Sequence, residues 1–416
     1  MLSREDNEIL TRVGPGTPMG TLLRRFWLPA LLAEELSEAD GPTVRIRLMG
    51  EDLVAFRDSS GAVGLLGEHC PHRRTSLALG LNASGGLRCI FHGYKFNVEG
   101  RCLETPTEPA NSNFHTKIRA TAYPTVEAGG MIWTYMGAPE SQPAFPRFPF
   151  LTLPIERARP YKLLSECNFF QALEGTVDSA HAGILHRTTG WDETVKSDGQ
   201  GDLVNVPFLN LAPKIEVEPS DFGLRYGAVR TTENGFQHVR ITSAVLPFWV
   251  FIPPYVGGKQ SERRLANAFV PRDDVSTWHI QFFYDFDNEI DTEFRIKEGG
   301  YWKDAGHRKL RNLDNWYLQE RDPKRRQVFS GIEGILTQDH AVSETQGAIV
   351  DRSQEYLGSS DATVIAMRRF MLQKARAAAN APSSIDSEIP YEKIQNDTIL
   401  IPPDARWQNQ APLVRA

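Results

Sequence analysis

The sequence predicts an α+β protein in which an N-terminal all-β domain precedes a catalytic domain with an antiparallel sheet flanked by helices. Residues 43–66 hold short alternating runs, VRIRLMG, DLVAF and AVGLL, separated by Gly, Asp and Ser, which is typical of antiparallel strands. Longer strand-like runs follow between residues 224 and 286, and the strongly helix-forming MRRFMLQKARAAA comes later. Strands first and helices afterwards favour α+β over alternating βα units.

In the N-terminal half, local sequence signals predict the helices and strands. A short helix is expected over residues 3–12, with Ser3 as N-cap, and the following PGTPMG is a turn-rich break. After the strands of residues 43–66, MIWTYM at 131–136 predicts another strand. A proline-dense linker comes next, with Pro139, Pro143, Pro146 and Pro149. The predicted domains are therefore residues 1–145 and 146–416.

In the second half, the sequence predicts both helices and strands. Residues 166–186 are expected to be helical, and strands are expected around 224–231, 237–252, 264–271 and 276–286. The segment 301–380 is expected to be mostly helical. A tail rich in Pro, Asn and Gln, residues 381–416, is expected to be irregular.

Composition narrows the functional classes. The chain has 416 residues, 41% of them hydrophobic and 24% charged, as in folded globular proteins. A net charge of −6 gives no reason to expect a nucleic acid or an anionic membrane as partner. The N-terminus lacks the apolar stretch of a signal peptide, so a cytoplasmic location is expected. Four cysteines in such a long chain argue against a disulfide framework and favour metal binding.

The first metal constellation lies in GEHCPHRRTSLALGLNASGGLRCIFHGYKF. Cys70 and His72 form a C-x-H pair, and Cys89 and His92 form a C-x-x-H pair further on. Two loops that each present one thiolate and one imidazole can hold a Rieske [2Fe–2S] cluster, in which two cysteines bind one iron and two histidines the other. A structural zinc site is the alternative, but zinc sites usually pair cysteine with cysteine. The isolated Cys102 and Cys167 are expected to be small buried apolar residues.

The second constellation is E-x3-D-x2-H-x4-H within residues 168–187, formed by Glu174, Asp178, His181 and His186. Two histidines and one carboxylate with open positions opposite suit ferrous iron that must bind O₂ and substrate. Asp178 and His181 would share a helix face, but His181 and His186 are five residues apart, about 140° around a helix. We therefore expect the helix to end or bulge near Gly183.

These two motifs together resemble the oxygenase component of Rieske non-haem iron aromatic oxygenases. The segments TRVGPGTPMGTLLRRFWLPALL and TQDHAVSETQGAIVDRSQEYLGSSDATVIAMRR are similar to the oxygenase subunits of the phthalate dioxygenase branch. The resemblance implies that Cys70, His72, Cys89 and His92 hold the cluster. It also implies that His181 and His186 bind a mononuclear Fe(II).

The resemblance supplies two further roles and the expected assembly. Asp339 in TQDHAV matches the third iron ligand, with Glu333, Glu344 and Asp351 as nearby competitors. Asp178 matches the family's bridging aspartate, which joins a cluster histidine of one subunit to an iron-ligand histidine of the next; His92 and His181 are the matching partners. It implies a head-to-tail homotrimer, or a hexamer of two stacked trimers. It also implies an NAD(P)H-dependent reductase carrying FMN and a [2Fe–2S] cluster.

The implied reaction uses O₂ to hydroxylate an aromatic substrate, an aromatic carboxylate of the phthalate or phenoxybenzoate kind, by ring dihydroxylation. An O-demethylase of a methoxylated aromatic or biaryl acid is the alternative, and a Rieske electron carrier or a zinc hydrolase are others. An aromatic acid would need a cation, for which Arg240 is the candidate and Arg187 the runner-up. The run LPFWVFIPP offers an apolar wall from Phe248, Trp249 and Phe251.

Overall fold

A computed structural model describes residues 2–188, 206–254, 263–381, 389–394 and 396–411. The first β region consists of three small antiparallel sheets. Their strands are Trp27–Leu32, Val44–Leu48, Glu51–Arg57, Val63–Gly67, Leu81–Asn82, Leu87–Arg88, Lys95–Phe96, Cys102–Glu104, Ala122–Tyr123, Thr125–Ala128 and Met131–Tyr135. The predicted N-terminal all-β architecture is confirmed, and it places the two cluster motifs in loops between short strands.

One antiparallel sheet of eight strands forms the second region. From one edge, the order of its strands is Ala158–Ser165, Ser276–Tyr284, Arg264–Asp273, Trp249–Ile252, Gln237–Val245, Gly223–Thr231 and Lys214–Ser220, with Asp397–Ile401 pairing beside Gln237–Val245. The α-helices are Arg4–Thr11, Pro18–Leu23, Phe169–Val177, Ala182–Leu185, Val206–Leu209, Thr292–Gly299, Ile335–Glu344, Ala362–Asn380 and Trp407–Gln410. Among the described residues, no helix is long and apolar enough to span a membrane.

The N-terminal helices lie against the second region. Ser3 caps Arg4–Thr11 by accepting a hydrogen bond from the backbone N–H of Asp6, as predicted. In the stretch predicted as a break, Thr17 caps a second helix that has Pro18 at its first position. Both helices contact Ala362–Asn380. The domain boundary near residue 145 stays a prediction.

An aromatic core joins the two regions. Trp133, on a strand of the first region, stacks on Trp249 of the large sheet with ring centroids 5.9 Å apart. Phe150 stacks on Phe282 at 4.1 Å. Phe248 and Trp249 are both buried here, and neither is among the residues that line the cavity described below. The three residues of the predicted apolar substrate wall therefore do not line this cavity, because their rings pack in the core between the two regions. Phe251 is also buried in that core.

Three other predictions need correction. The segment 301–380 is not mostly helical, since its α-helices are Ile335–Glu344 and Ala362–Asn380. The predicted strand 237–252 is two strands, because Gln237–Val245 ends before Leu246 and Trp249–Ile252 follows. Within the described part of the tail, Asp397–Ile401 adds a strand to the sheet. Trp407, 1% exposed, is buried beside it.

Candidate active site

Two loops bring the four cluster residues together with the same turn. In the first, the N–H of Cys70 donates to the carbonyl of Thr75 at 2.8 Å, and in the second the N–H of Cys89 donates to that of Tyr94 at 2.8 Å. Each cysteine carbonyl accepts from the residue four positions later, Arg74 or Gly93, and both of these have positive φ. The chain therefore reverses tightly after each cysteine, which aims the two loops at a shared centre.

The side chains of these loops fit a cluster. The rings of His72 and His92 lie 4.5 Å apart, and Nδ1 of His92 is buried with no hydrogen-bond partner among the described residues. Burial, together with the adjacent Cys89 sulfur, raises the pKa of the Cys70 thiol to about 11. Two thiolates this close need bound positive charge to exist, and the irons of a [2Fe–2S] cluster would supply it.

Aromatic rings pack against both histidines of the cluster loops. Tyr94, 1% exposed, stacks on His72 with ring centroids 4.4 Å apart. Its hydroxyl donates to Glu108 at 2.9 Å. On the outer side, Phe91 lies 3.9 Å from the His92 ring and is 51% exposed. A buried ring thus packs on one histidine and an exposed ring on the other.

The second constellation forms where a helix ends. Phe169–Val177 begins at Asn168, whose side chain accepts from the N–H of Phe170, and it ends at Asp178, which is extended. Glu174 does not face the site, because Arg352 and Arg368 hold its buried carboxylate. Burial raises the pKa of Glu174, but the two guanidinium groups outweigh it and lower the value.

The helix ends earlier than predicted. We expected a break near Gly183 with Asp178 and His181 on one helix; the break instead spans Asp178–Ala180, and Gly183 lies within the next short helix, Ala182–Leu185. His181 precedes that short helix and His186 follows it. Because of the break, their rings lie close together, with centroids 5.3 Å apart.

Asp339 completes the group. It lies on Ile335–Glu344, a helix that starts after Gly334 at φ 90°, where the backbone of Gly300 leaves no room for a side chain. Its Oδ1 is 3.5 Å from Nε2 of His181 and 3.3 Å from Nε2 of His186. The three ligand atoms lie within 4.8 Å of one another.

The competing acids are engaged elsewhere. Glu344 is buried and accepts from Lys309 and Tyr317, each at 2.7 Å. Glu333 pairs with Arg311, and Asp351 accepts from Ser353. Among the four acids, Asp339 is the one that faces both histidines.

The electrostatics of this group call for a cation. Oδ1 of Asp339 is buried and accepts no hydrogen bond from the described residues. Burial lowers the pKa of His181, but Asp178 and Asp339 outweigh it and raise the value to about 10. The site therefore attracts positive charge, and two imidazoles with one carboxylate are the ligand set of non-haem Fe(II) oxygenases.

A cavity of about 430 Å³ opens from this group. Its walls combine apolar side chains, such as Phe283 and Leu336, with Arg240. Arg240 is 7% exposed and stands on Gln237–Val245, which is paired on both sides. The runner-up Arg187 is not among the lining residues.

The sequence patterns did not single out a polar cluster in the same cavity. Asn267 accepts from Gln281 at 2.6 Å and bonds Nε2 of His279 at 3.0 Å. All three line the cavity. The available signal was His279 and Gln281 at alternate positions of an otherwise apolar strand, STWHIQFFY, since alternate residues face one side of a sheet.

A loop pair of mixed Cys and His ligands and, in the same chain, a two-histidine, one-carboxylate group together define a Rieske non-haem iron oxygenase. Residues 26–124 match the family model described as Rieske [2Fe-2S] domain, and residues 134–413 match LigXa C-terminal domain like. The chain belongs to this family, as an oxygenase (alpha) subunit of the phthalate dioxygenase-like branch, and uses a [2Fe–2S] Rieske cluster and a mononuclear iron.

Individual relatives agree with this assignment. The chain is 39% identical to the phthalate 4,5-dioxygenase oxygenase subunit of Pseudomonas putida, over 98% of this chain and 94% of the relative. It is 34% identical to the 3-chlorobenzoate-3,4-dioxygenase oxygenase subunit of Comamonas testosteroni, over 98% and 97%. The structure of NdmA from Pseudomonas putida CBB5 with caffeine shares the fold, at TM-score 0.64 and 18% identity over 94% of this chain and 99% of that one.

Proposed function

We propose that this oxygenase dihydroxylates the ring of an aromatic carboxylate. The observation that carries the proposal is the convergence of His181, His186 and Asp339 at one end of a largely apolar cavity that Arg240 also lines. Relatives that share almost the full length act, by name, on phthalate and 3-chlorobenzoate. The balanced reaction is arene plus O₂, two electrons and two protons, giving a cis-dihydrodiol.

The proposed ligands follow from the geometry. Cys70, His72, Cys89 and His92 would hold the cluster, and His181, His186 and Asp339 would hold the mononuclear iron. When bound, the cluster supplies single electrons and the iron activates O₂. His181, His186 and Asp339 all line the cavity, so an aromatic ring bound there would lie next to the iron that they would hold.

Arg240 would anchor the substrate carboxylate. A guanidinium presents two parallel N–H donors that match the two carboxylate oxygens. The strand beneath Arg240 is paired with Gly223–Thr231 and Asp397–Ile401, so its backbone position is rigid. Apolar walls exclude water and hold the ring, while the anchored carboxylate decides which ring carbons face the iron.

Asp178 would carry the contact between subunits. Its Oδ2 lies 3.6 Å from Nδ1 of His181, and the matching partner across the interface is His92 of a second copy. Large apolar side chains are exposed in both places. Around the cluster these are Leu79, Leu81, Ile90 and Phe91, and near the iron group they are Ile184, Ile335 and Val342. Such patches support burial between copies, in the proposed head-to-tail trimer or a hexamer of two trimers.

The electron source would be an NAD(P)H-dependent reductase with FMN and its own [2Fe–2S] cluster. Because that partner draws on the NAD(P)H pool, the proposed reaction takes place in the cytoplasm. The acidic chain, with a net charge of −6, would favour a basic docking face on the reductase.

A single turnover tests the function. Chemically reduced holoenzyme would be mixed with isotopically labelled O₂ and a panel of phthalates, benzoates, phenoxybenzoates and methoxylated biaryl acids, with products identified by mass spectrometry. A ring diol carrying both labelled atoms supports the proposal. Formaldehyde release with loss of a methyl group would replace it with O-demethylation. Cluster reoxidation without any product would reject the oxygenase assignment.

A further inference from the structure

Gln338 makes a short side-chain contact to one histidine of the iron group. Its Oε1 lies 2.6 Å from Nδ1 of His186, and the side chain is 2% exposed. The residue immediately precedes Asp339 on Ile335–Glu344. One turn of helix thus carries a metal-binding carboxylate and a contact to a histidine from another element.

The amide of Gln338 has a defined orientation. Its Nε2 donates to the carbonyl of Ile332 at 2.7 Å. Rotating the amide by half a turn would set its oxygen against that carbonyl, leaving two buried acceptors face to face. Oε1 is therefore the atom that faces His186, and Nδ1 of His186 must carry the hydrogen. The lone pair of this neutral imidazole is then on Nε2, the atom 3.3 Å from Asp339.

The surrounding loop holds this arrangement in place. The N–H of Phe329 donates to the carbonyl of Arg187 at 2.7 Å, and Thr188 forms an antiparallel bridge with Val328. The chain just after His186 is thus joined to the loop that ends at Ile332, and Gln338 links His186 to the same loop. Neither the histidine nor the amide can turn without breaking a hydrogen bond and leaving a buried polar group unpaired.

The second histidine is held differently. Nδ1 of His181 lies 3.6 Å from the Asp178 carboxylate, beyond the range of a good hydrogen bond. Asp178 is also the residue proposed to reach a second subunit. His181 therefore depends on a carboxylate shared between copies, whereas His186 depends on a neutral amide within its own chain.

We propose that Gln338 is a positioning residue that fixes the tautomer and ring orientation of His186 and directs its Nε2 at the iron. This rests on the proposed function, which assigns His186 as an iron ligand. Outer hydrogen-bond partners of metal-binding histidines typically contribute roughly 10- to 100-fold to metal affinity.

The test uses the full-length protein with its cluster intact, after the mononuclear iron has been removed with a chelator. Wild type, Gln338→Met, Gln338→Glu and Gln171→Met would be titrated with Fe(II), and the electron paramagnetic resonance of the iron–nitric oxide adduct recorded. Gln171 is the matched control. It is also 2% exposed, and it donates to Ser343 and Gly347 and accepts from Val350 without touching the iron group.

The expected result is a roughly 10- to 100-fold weaker Fe(II) affinity and an altered nitrosyl spectrum in Gln338→Met. Gln338→Glu, which keeps an acceptor for His186 and in its protonated form a donor for Ile332, should recover most of the affinity. Gln171→Met should lose thermal stability but keep both iron readouts.

Three results would overturn the proposal. Wild-type affinity and spectrum in Gln338→Met would show that His186 needs no such partner. Equal changes in Gln171→Met would show a general packing effect. Wild-type protein that binds no iron beyond its cluster would reject the iron site itself, and this result is distinguishable because it appears before any substitution is made.

Discussion

Oδ2 of Asp178 lies 3.6 Å from Nδ1 of His181, while Oδ1 of the same carboxylate accepts the backbone N–H of Ala180 at 2.8 Å. Burial raises the pKa of Asp178, but His181 outweighs it and lowers the value. The carboxylate is thus ionised, and one of its two oxygens is already occupied by the backbone of its own turn. Its other oxygen is the one available to orient an imidazole.

Replacing Asp178 with Asn should therefore slow electron delivery to the iron while leaving the cluster intact. The amide is neutral and attracts an imidazole N–H more weakly than a carboxylate does. We expect cluster reoxidation, followed by stopped-flow absorbance with substrate and O₂, to slow by roughly 10- to 100-fold. The cluster's visible spectrum serves as the control. An unchanged reoxidation rate would contradict the bridging role.

Substituting Asp339 should remove one iron per chain. In Asp339→Asn the charge that balances the metal is lost, so the mononuclear iron should dissociate and the two cluster irons should remain. Iron and acid-labile sulfide analysis measures both. Glu333→Gln is the matched control, because Glu333 is exposed and pairs with Arg311, away from the iron group. Retention of the third iron in Asp339→Asn would point to another ligand.

Substitutions of Arg240 and Trp249 should distinguish a residue that binds substrate from one that packs in the core. Arg240→Met should raise KM for an aromatic acid by roughly 10- to 100-fold, because a charged hydrogen bond contributes about 1.5–3 kcal/mol. Trp249→Phe should lower thermal stability and leave KM nearly unchanged, since its ring packs on Trp133 outside the cavity. Steady-state kinetics with matched melting curves measure both. The opposite pattern would return Trp249 to the substrate site.

Glu35 should make stability depend on acid pH. Its carboxylate accepts from His307 at 3.1 Å and from Lys162, which is 1% exposed. Burial raises the pKa of Glu35, but His307 and Lys162 outweigh it and lower the value from 4.5 to about 2. Because the folded value lies below the unfolded one, the stabilisation is present above pH 4.5 and is lost as the pH falls toward 2.

The substitution that tests this is Glu35→Gln. At about pH 7 it should destabilise the fold by on the order of 3 kcal/mol, since it also leaves Lys162 buried without its acid. The difference in Tm from wild type should shrink at about pH 3. Glu34→Gln, at the exposed neighbouring position, should behave as wild type at both pH values. A pH-independent difference would show that packing, not charge, is responsible.

The sequence predicted the cluster loops and both iron histidines because each motif is local. Cys70 and His72 are separated by one residue, so any turn there brings them together. Asp339 was reachable only through the family resemblance, since nothing near it in the chain shows what it faces. The location of the helix break was not predictable from Gly183. The last turn of Phe169–Val177 is tied through Glu174 to Arg352 and Arg368, which lie far along the chain.

The wrong prediction of helix in residues 301–380 and the misplaced aromatic wall also result from contacts between distant parts of the chain. Residues 301–334 are largely irregular, and side-chain hydrogen bonds from Lys309 to the Leu164 carbonyl and from Tyr317 to Glu344 tie this backbone to distant parts of the chain. The FWVF run is equally apolar whether it faces a substrate or a neighbouring domain. The positions of Trp133, from the first region, and of Phe148, from the linker that follows it, decide the direction in which Trp249 packs.

The packing of Arg4–Thr11 and Pro18–Leu23 against Ala362–Asn380 also has a consequence for biosynthesis. These two helices lack Ala362–Asn380 as a packing partner until that late segment has been synthesised, whereas the strands between Trp27 and Tyr135 pair among themselves. The small β region can close early, and the N-terminal helices must wait. A nascent chain would thus have its cluster pocket ready for loading before the iron-binding helix Ile335–Glu344 has been synthesised.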